Sequence, residues 1–275
     1  MTLPRLRPVF AALFAIATVA GCSNDASSAG GGARSIRGVP GAKTDDSAAG
    51  TVDLGGTPYK ATALTAVGSL AGTITLVGGP RKDTVLVTAD TSVCGTSVDG
   101  PVQATAKGLS NSVVWIANIA SGKALPPSRR IDLSSEDCVL DPRVQAAMVG
   151  TTVNVTNDDR LLHKLVFMPI GTEDTLTIMP FFNNGQVVPS ERLARRSGIV
   201  EVLCAFHPWT HAYIAVFDHP YFAVTGEDGS FKIDSLPPGT YKMMVWHEGA
   251  GKPIAQQIQV AANGSANVDV ALTIK

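Results

Sequence analysis

Val200-Glu201-Val202-Leu203-Cys204-Ala205-Phe206-His207-Pro208-Trp209-Thr210-His211-Ala212-Tyr213 is the stretch on which the reading of this 275-residue chain turns. Its first four residues have the apolar/polar alternation of a half-buried strand, and its last lead into a second strand, Tyr213-Ile214-Ala215-Val216-Phe217. Pro208 stiffens the short connection between them. That connection carries a thiol and two imidazoles, donors suited to a soft or borderline metal ion. Two strands joined by a short loop predict β-structure here.

The same alternation recurs outward in both directions. Leu70-Ala71-Gly72-Thr73-Ile74-Thr75-Leu76-Val77, Thr84-Val85-Leu86-Val87, Ser112-Val113-Val114-Trp115-Ile116 and Thr151-Thr152-Val153-Asn154-Val155-Thr156 all read as strands, as do Leu165-Val166-Phe167 and Phe231-Lys232-Ile233. Gly, Pro, Asn and Asp clusters separate them at short intervals. No window holds a helical period apart from a short turn around Ser190 to Arg196. The fold class is therefore all-β, of sandwich type.

Upstream lies a second chemically loaded segment, Val155-Thr156-Asn157-Asp158-Asp159-Arg160-Leu161-Leu162-His163-Lys164-Leu165-Val166-Phe167, in which a histidine follows a polar turn between two strands. Taken singly, His163 reads as a turn histidine, Cys204 as a small buried hydrophobe and His207 as a loop residue. Together, in this order, they resemble the cupredoxins, β-sandwich copper proteins of the plastocyanin type. The resemblance covers roughly residues 138–218. It implies a Greek-key sandwich with copper as cofactor, His163 and His207 as imidazole ligands and Cys204 as the thiolate. Cupredoxins place a methionine shortly after the second histidine, and none occurs here between Met179 and Met243. Thr210 and His211 stand in its place; His211 would supply a fourth nitrogen, and Thr210 would leave the site three-coordinate or completed by water. Lys164 replaces the asparagine that often follows the upstream histidine.

The N-terminus reads as an export signal. Arg5 and Arg7 precede an apolar run from Val9 to Ala17, too short for the ~20 residues of a membrane span. Val19-Ala20-Gly21-Cys22 resembles the lipobox of bacterial lipoproteins, which implies diacylation of Cys22 and anchoring to a membrane. Residues 23–66, rich in Gly, Ser, Ala and Asp, read as a flexible tether with a reach of roughly 35 Å. The expected location is the cell envelope, lipid-anchored on the periplasmic face, with the outer membrane favoured. With Cys22 acylated, Cys94, Cys138 and Cys204 remain, an odd number in an oxidising compartment. On the copper resemblance, a Cys94–Cys138 disulfide leaves Cys204 free, whereas Cys138–Cys204 or Cys94–Cys204 would abolish the site.

From Tyr221 the chain carries Thr225-Gly226-Glu227-Asp228-Gly229-Ser230-Phe231 and Pro237-Pro238-Gly239-Thr240-Tyr241, turn signals feeding strands. They resemble carboxypeptidase regulatory-like repeats and the β-sandwich accessory domain of rhamnogalacturonan lyases, which implies a packing or recognition role. The whole order, from Cys-Gly through His-Pro-Trp and Asp-His-Pro-Tyr to Val-Trp-His-Glu, is similar to methylamine-utilisation or plastocyanin-like periplasmic proteins.

The expected partition is a signal at 1–22, a tether at 23–66, an N-terminal β region at 67–135, a cupredoxin-like domain at 136–220 and a regulatory-like module at 221–275. A net charge of −1 and no basic block exclude a nucleic-acid partner. No Gly-x-Ser-x-Gly or His-Glu-x-x-His occurs, so no enzymatic activity is expected. Two functions fit: an envelope copper protein for electron transfer or copper handling, with a redox or envelope protein as partner, and a metal-free surface module recognising glycan or protein.

Overall fold

The computed structural model describes Leu54 and residues 58–274. The signal segment, Cys22 and most of the expected tether lie outside the described residues.

The described chain runs out, across and back. The first leg holds β1 (Lys60–Ala61), β2 (Gly68–Leu76), β3 (Arg81–Leu86), the single-turn α1 (Thr91–Cys94), β4 (Ser97–Ala104), β5 (Val113–Ile116) and β6 (Ser121–Gly122). The middle leg holds β7 (Arg130–Glu136), β8 (Val139–Asp141), β9 (Val144–Met148), β10 (Thr152–Asn157), β11 (His163–Pro169), β12 (Thr177–Phe181), β13 (Gln186–Ser190), β14 (Gly198–Cys204) and β15 (His211–Phe217). The last leg holds β16 (Phe222–Val224), β17 (Ser230–Leu236), β18 (Gly239–Trp246), β19 (Ile254–Val260), β20 (Ser265–Asn267) and β21 (Val270–Leu272).

The middle leg makes one sandwich, of a β13-β10-β7-β8 sheet and a β12-β11-β14-β15-β9 sheet. Leu133, Val153, Val155, Phe167, Phe181, Val202 and Ile214 fill the space between them. The outer legs make the second sandwich together, from a β16-β5-β18-β19 sheet and a sheet in which β2 pairs with β17, β20 and β21. Leu70, Ile74, Val114, Ile116, Phe231 and Met243 share its core.

Two strands explain how the sandwiches join. On β5, Val114 and Ile116 face the second core while Val113 and Trp115 face the other way, into a cluster with Tyr213, Ala215, Phe217 and Trp246. On β15, Ala212, Ile214 and Val216 face the first core and the alternate residues face that same shared cluster. Side chains point to opposite faces in alternation, so a strand buried on both faces must be apolar throughout; Val-Val-Trp-Ile and Ala-Tyr-Ile-Ala-Val-Phe are. The result is a stack of sheets with three apolar seams. Arg143 and Glu248 tie the middle seam, Arg143 donating from Nε at 2.6 Å and from its terminal nitrogen at 2.8 Å.

The packing redraws two expected boundaries. Residues 67–135 are no separate region: β2 and β5 complete the sandwich of the last leg, because neither β17 nor β18 could bury its apolar face alone, while β7 belongs to the first sandwich. The tether ends before residue 66. Tyr59 packs edge-on against Tyr221 and donates to the Lys123 carbonyl, and β1 pairs with β6. Among the described residues, no helix is long and apolar enough to cross a membrane.

Candidate metal centre

The site lies at one end of the first sandwich, where β11 begins and β14 stops. Asn157 shapes the turn before β11: its side-chain oxygen accepts the Asp159 N–H at 3.2 Å, and its amide donates to the carbonyls of Leu161 and Asn183. His163 is thereby set as the first residue of β11. Leu165 lies opposite Cys204 in the antiparallel ladder, which brings the end of β14 beside His163. Beyond Cys204 the chain folds back on itself, with the Thr210 N–H donating to the His207 carbonyl at 2.9 Å and the Cys204 N–H to the Thr210 carbonyl at 3.2 Å. This return swings the His207 ring over the thiol.

Three donor atoms converge. Cys204 Sγ lies 3.5 Å from His163 Nδ1 and 3.5 Å from His207 Nδ1, and the two Nδ1 atoms are 3.2 Å apart. A point inside this triangle is about 2 Å from every corner, the length of a bond from a transition metal to imidazole. All three residues are buried, at 0%, 2% and 2% exposure for His163, Cys204 and His207.

Each imidazole is held from behind. His163 Nε2 lies 2.9 Å from Asp159 Oδ2, and that carboxylate also accepts the Ser135 hydroxyl at 2.6 Å and the Cys138 N–H at 3.2 Å. His207 Nε2 lies 3.1 Å from Asp90 Oδ2. A carboxylate on the outer nitrogen keeps the proton there and turns the Nδ1 lone pair inward, the arrangement that supports metal-bound histidines. The donor set therefore fits a metal ion that takes two imidazoles and a thiolate.

The thiol is prepared for that role. Burial pushes the Cys204 thiol up, but His163 and the backbone around Phe206, Lys164 and His207 outweigh it and bring it down to about 6. Burial pushes His163 down, and Asp159 with the Cys204 thiolate overturns this, raising it to about 9. Asp159 stays below its ordinary value because its hydrogen bonds to His163, Ser135 and Cys138 outweigh its burial.

His211 stands apart from this group. It lies opposite Leu203 in the β14–β15 ladder, and paired residues share a face. Leu203 and Cys204 are successive, so they point to opposite faces. His211 thus turns away from the thiol, 3.6 Å from Glu201 and T-stacked on Tyr213, and burial lowers its affinity for a proton. It is no ligand in this arrangement. Thr210 is engaged too, its hydroxyl donating to the Cys138 carbonyl at 2.5 Å. Lys164 is exposed. Cys94 and Cys138 form a disulfide, S–S 1.95 Å, and Cys204 is free. The bridge packs with Val87, Val98 and Trp209 directly beside the centre. Asp159, Ser135 and Asp90 were not anticipated from the sequence. Only Asp159, four residues before His163, had a local signal.

Residues 200–273 match the family model of the carboxypeptidase regulatory-like domain. That is under half of the chain, and it spans β14 to β21. No curated protein matches the chain. Its neighbours among solved structures include cupredoxins and a Cu-containing nitrite reductase. A Cu-containing nitrite reductase (NirK) from Thermus scotoductus SA-01 is 22% identical, with a TM-score of 0.29, over 36% of this chain and 24% of its own. A purple cupredoxin from Nitrosopumilus maritimus is 22% identical, with a TM-score of 0.27, over 32% of this chain and 99% of its own. A reduced amicyanin variant is 18% identical, with a TM-score of 0.25, over 34% of this chain and 85% of its own. The chain thus spans about a quarter of the nitrite reductase.

Proposed function

We propose that this protein binds copper through His163, Cys204 and His207 and serves single-electron transfer or copper handling in the cell envelope, anchored by a lipid on Cys22. The observation that carries the reading is the convergence of two imidazole Nδ1 atoms and one ionisable thiol in a buried triangle backed by carboxylates. A thiolate with two imidazoles is the donor set that suits copper electron-transfer sites. Copper bound there would supply a one-electron couple. The protein's own part is to exclude water from the donors, to keep both rings in one tautomer and to hold Cys204 as a thiolate near neutral pH.

Adding Cu(II) to the purified protein is expected to produce an intense visible thiolate-to-copper band. The band disappears in Cys204→Ser. Absence of the band, together with no copper by elemental analysis, overturns the reading and leaves the metal-free recognition module; that rival expects His163→Ala with His207→Ala to leave partner binding unchanged.

A second arrangement uses the same atoms. Cys204, His163 and Asp159 follow the order of nucleophile, base and orienting carboxylate found in thiol enzymes. A nucleophile must reach its substrate, and Cys204 is 2% exposed. Burial favours the metal over the substrate.

A further inference from the structure

We infer that Asp90, which lies outside the sandwich that supplies the ligands, is a positioning residue of the metal centre, and that the β3–β4 hairpin carrying it is a fixed cap that makes His207 a buried ligand. The inference rests on the copper reading above.

Three independent observations carry it. The first is the contact itself: Asp90 Oδ2 lies 3.1 Å from His207 Nε2, with the ring side chain 3% exposed and the carboxylate 49% exposed. The contact joins residues 117 positions apart, so chain proximity does not account for it. The second is backbone conformation. Asp90 has φ 51° and ψ 31°, the left-handed region that non-glycine residues occupy at a cost. It precedes α1 in the capping position, yet its side chain caps nothing there. The carboxylate is directed at His207 instead of at its own helix. The third is that the cap is seated without Asp90. Cys94, at the end of α1, is bonded to Cys138, and Val87, Val98 and Trp209 pack around the bridge. Cys138 in turn donates to Asp159 and accepts from Thr210, so a single cross-link fixes the supports of both histidines.

With the hairpin seated by the disulfide and packing, Asp90 has one remaining task, to hold the outer nitrogen of His207. Loss of such an outer partner typically weakens a metal site 10–100-fold.

The experiment compares the wild-type protein with Asp90→Gly, Asp90→Asn and Asp90→Glu, each loaded with Co(II) and measured by chelator competition and by proton NMR of the hyperfine-shifted imidazole N–H signals. Wild type is expected to show two slowly exchanging imidazole N–H signals, one for each carboxylate-held ring. Asp90→Gly relieves the left-handed backbone, so the metal-free protein keeps its unfolding midpoint. Its affinity is expected to fall 10–100-fold and one of the two N–H signals to exchange rapidly. Asp90→Asn, which retains the tolerance for this backbone and an acceptor oxygen, is expected to fall between the two and serves if the glycine variant fails to fold. Asp90→Glu, a carboxylate on a longer arm, is expected to recover part of the affinity. Wild-type affinity with both signals slow in Asp90→Gly and Asp90→Asn overturns the inference and leaves the copper reading intact. A wild-type protein that takes up neither Co(II) nor copper overturns both.

Discussion

Asp159 holds the proposed centre together from behind His163, outside the triangle of donor atoms. Its two oxygens receive His163, Ser135 and Cys138, so one buried carboxylate orients the His163 ring and anchors the strand end carrying the disulfide. Asp159→Asn keeps the volume and one acceptor oxygen but removes the charge, and its amide would face the Cys138 N–H or the Ser135 hydroxyl. Copper affinity is expected to drop 10–100-fold, read by competition with a chelator. His211→Ala is the contrasting case: a ring on the opposite face of β15 can be removed with affinity and visible band unchanged. The three converging donors His163, Cys204 and His207 were legible because each stands at a strand end or in the loop that follows it, and strand ends are read from alternation. Asp159 was not, because Asp158 and Asp159 are equivalent in sequence and only the Asn157 turn decides which one points inward. The face of His211 was not legible, because counting residues after Cys204 does not reveal the ladder register that decides it.

At the scale of elements, the hairpin β3–β4 with α1 is the piece whose attachment can be measured. The Cys94–Cys138 bridge spans 44 residues, which in the chain-entropy account of cross-links stabilises by about 4 kcal/mol. Replacing both cysteines by alanine is expected to lower unfolding free energy by about that amount in urea titrations of the metal-free protein. It should also weaken metal binding, since the cap and the Cys138 N–H lose their fixed place. Eight of the twenty-one strands among the described residues were read as strands, β5 and β15 easily, since burial on both faces leaves a continuous apolar run. β12 and β13 escaped reading for one reason: each holds a proline, Pro180 or Pro189, which lacks the N–H a central strand must donate. Both are edge strands, where that loss is tolerated. β19 escaped too, as Ile-Ala-Gln-Gln-Ile-Gln-Val has too few apolar positions to alternate clearly.

At the scale of the whole molecule, the chain leaves the second sandwich, builds the first from one contiguous stretch and returns, so the second is completed only when the last leg comes back to the first leg. Sequence reading by contiguous segments could not see this, because β2 and β17 lie far apart in the chain yet pair along the same edge. Two buried histidines stand near the seam between the sandwiches. His219 packs on Phe217 and accepts the Tyr221 N–H through Nδ1; His247 follows Trp246 and accepts the Gly249 N–H in the same way. Burial lowers both to about 4. In the unfolded chain each takes a proton near pH 6.5. Above that pH both states are neutral and the full stability is present; as pH falls from 6.5 toward 4 the unfolded chain gains protons that the folded one refuses, and each residue withdraws up to about 3 kcal/mol. Cys204 and His163 do not disturb this window: both shifts act above about pH 6, in opposite directions that nearly cancel. Asp159, held below its ordinary value, adds its loss at still lower pH. Urea unfolding of the metal-free protein between pH 7.5 and 4 should therefore show a steep loss of stability in one cooperative transition, because the seam unites the sandwiches. In the double variant His219→Asn, His247→Asn the amide oxygen takes over the Nδ1 acceptor role and nothing titrates, so the curve should flatten across that range. Two separate transitions, or an unchanged slope in the double variant, would show that the sandwiches are energetically independent and that these histidines do not guard their junction.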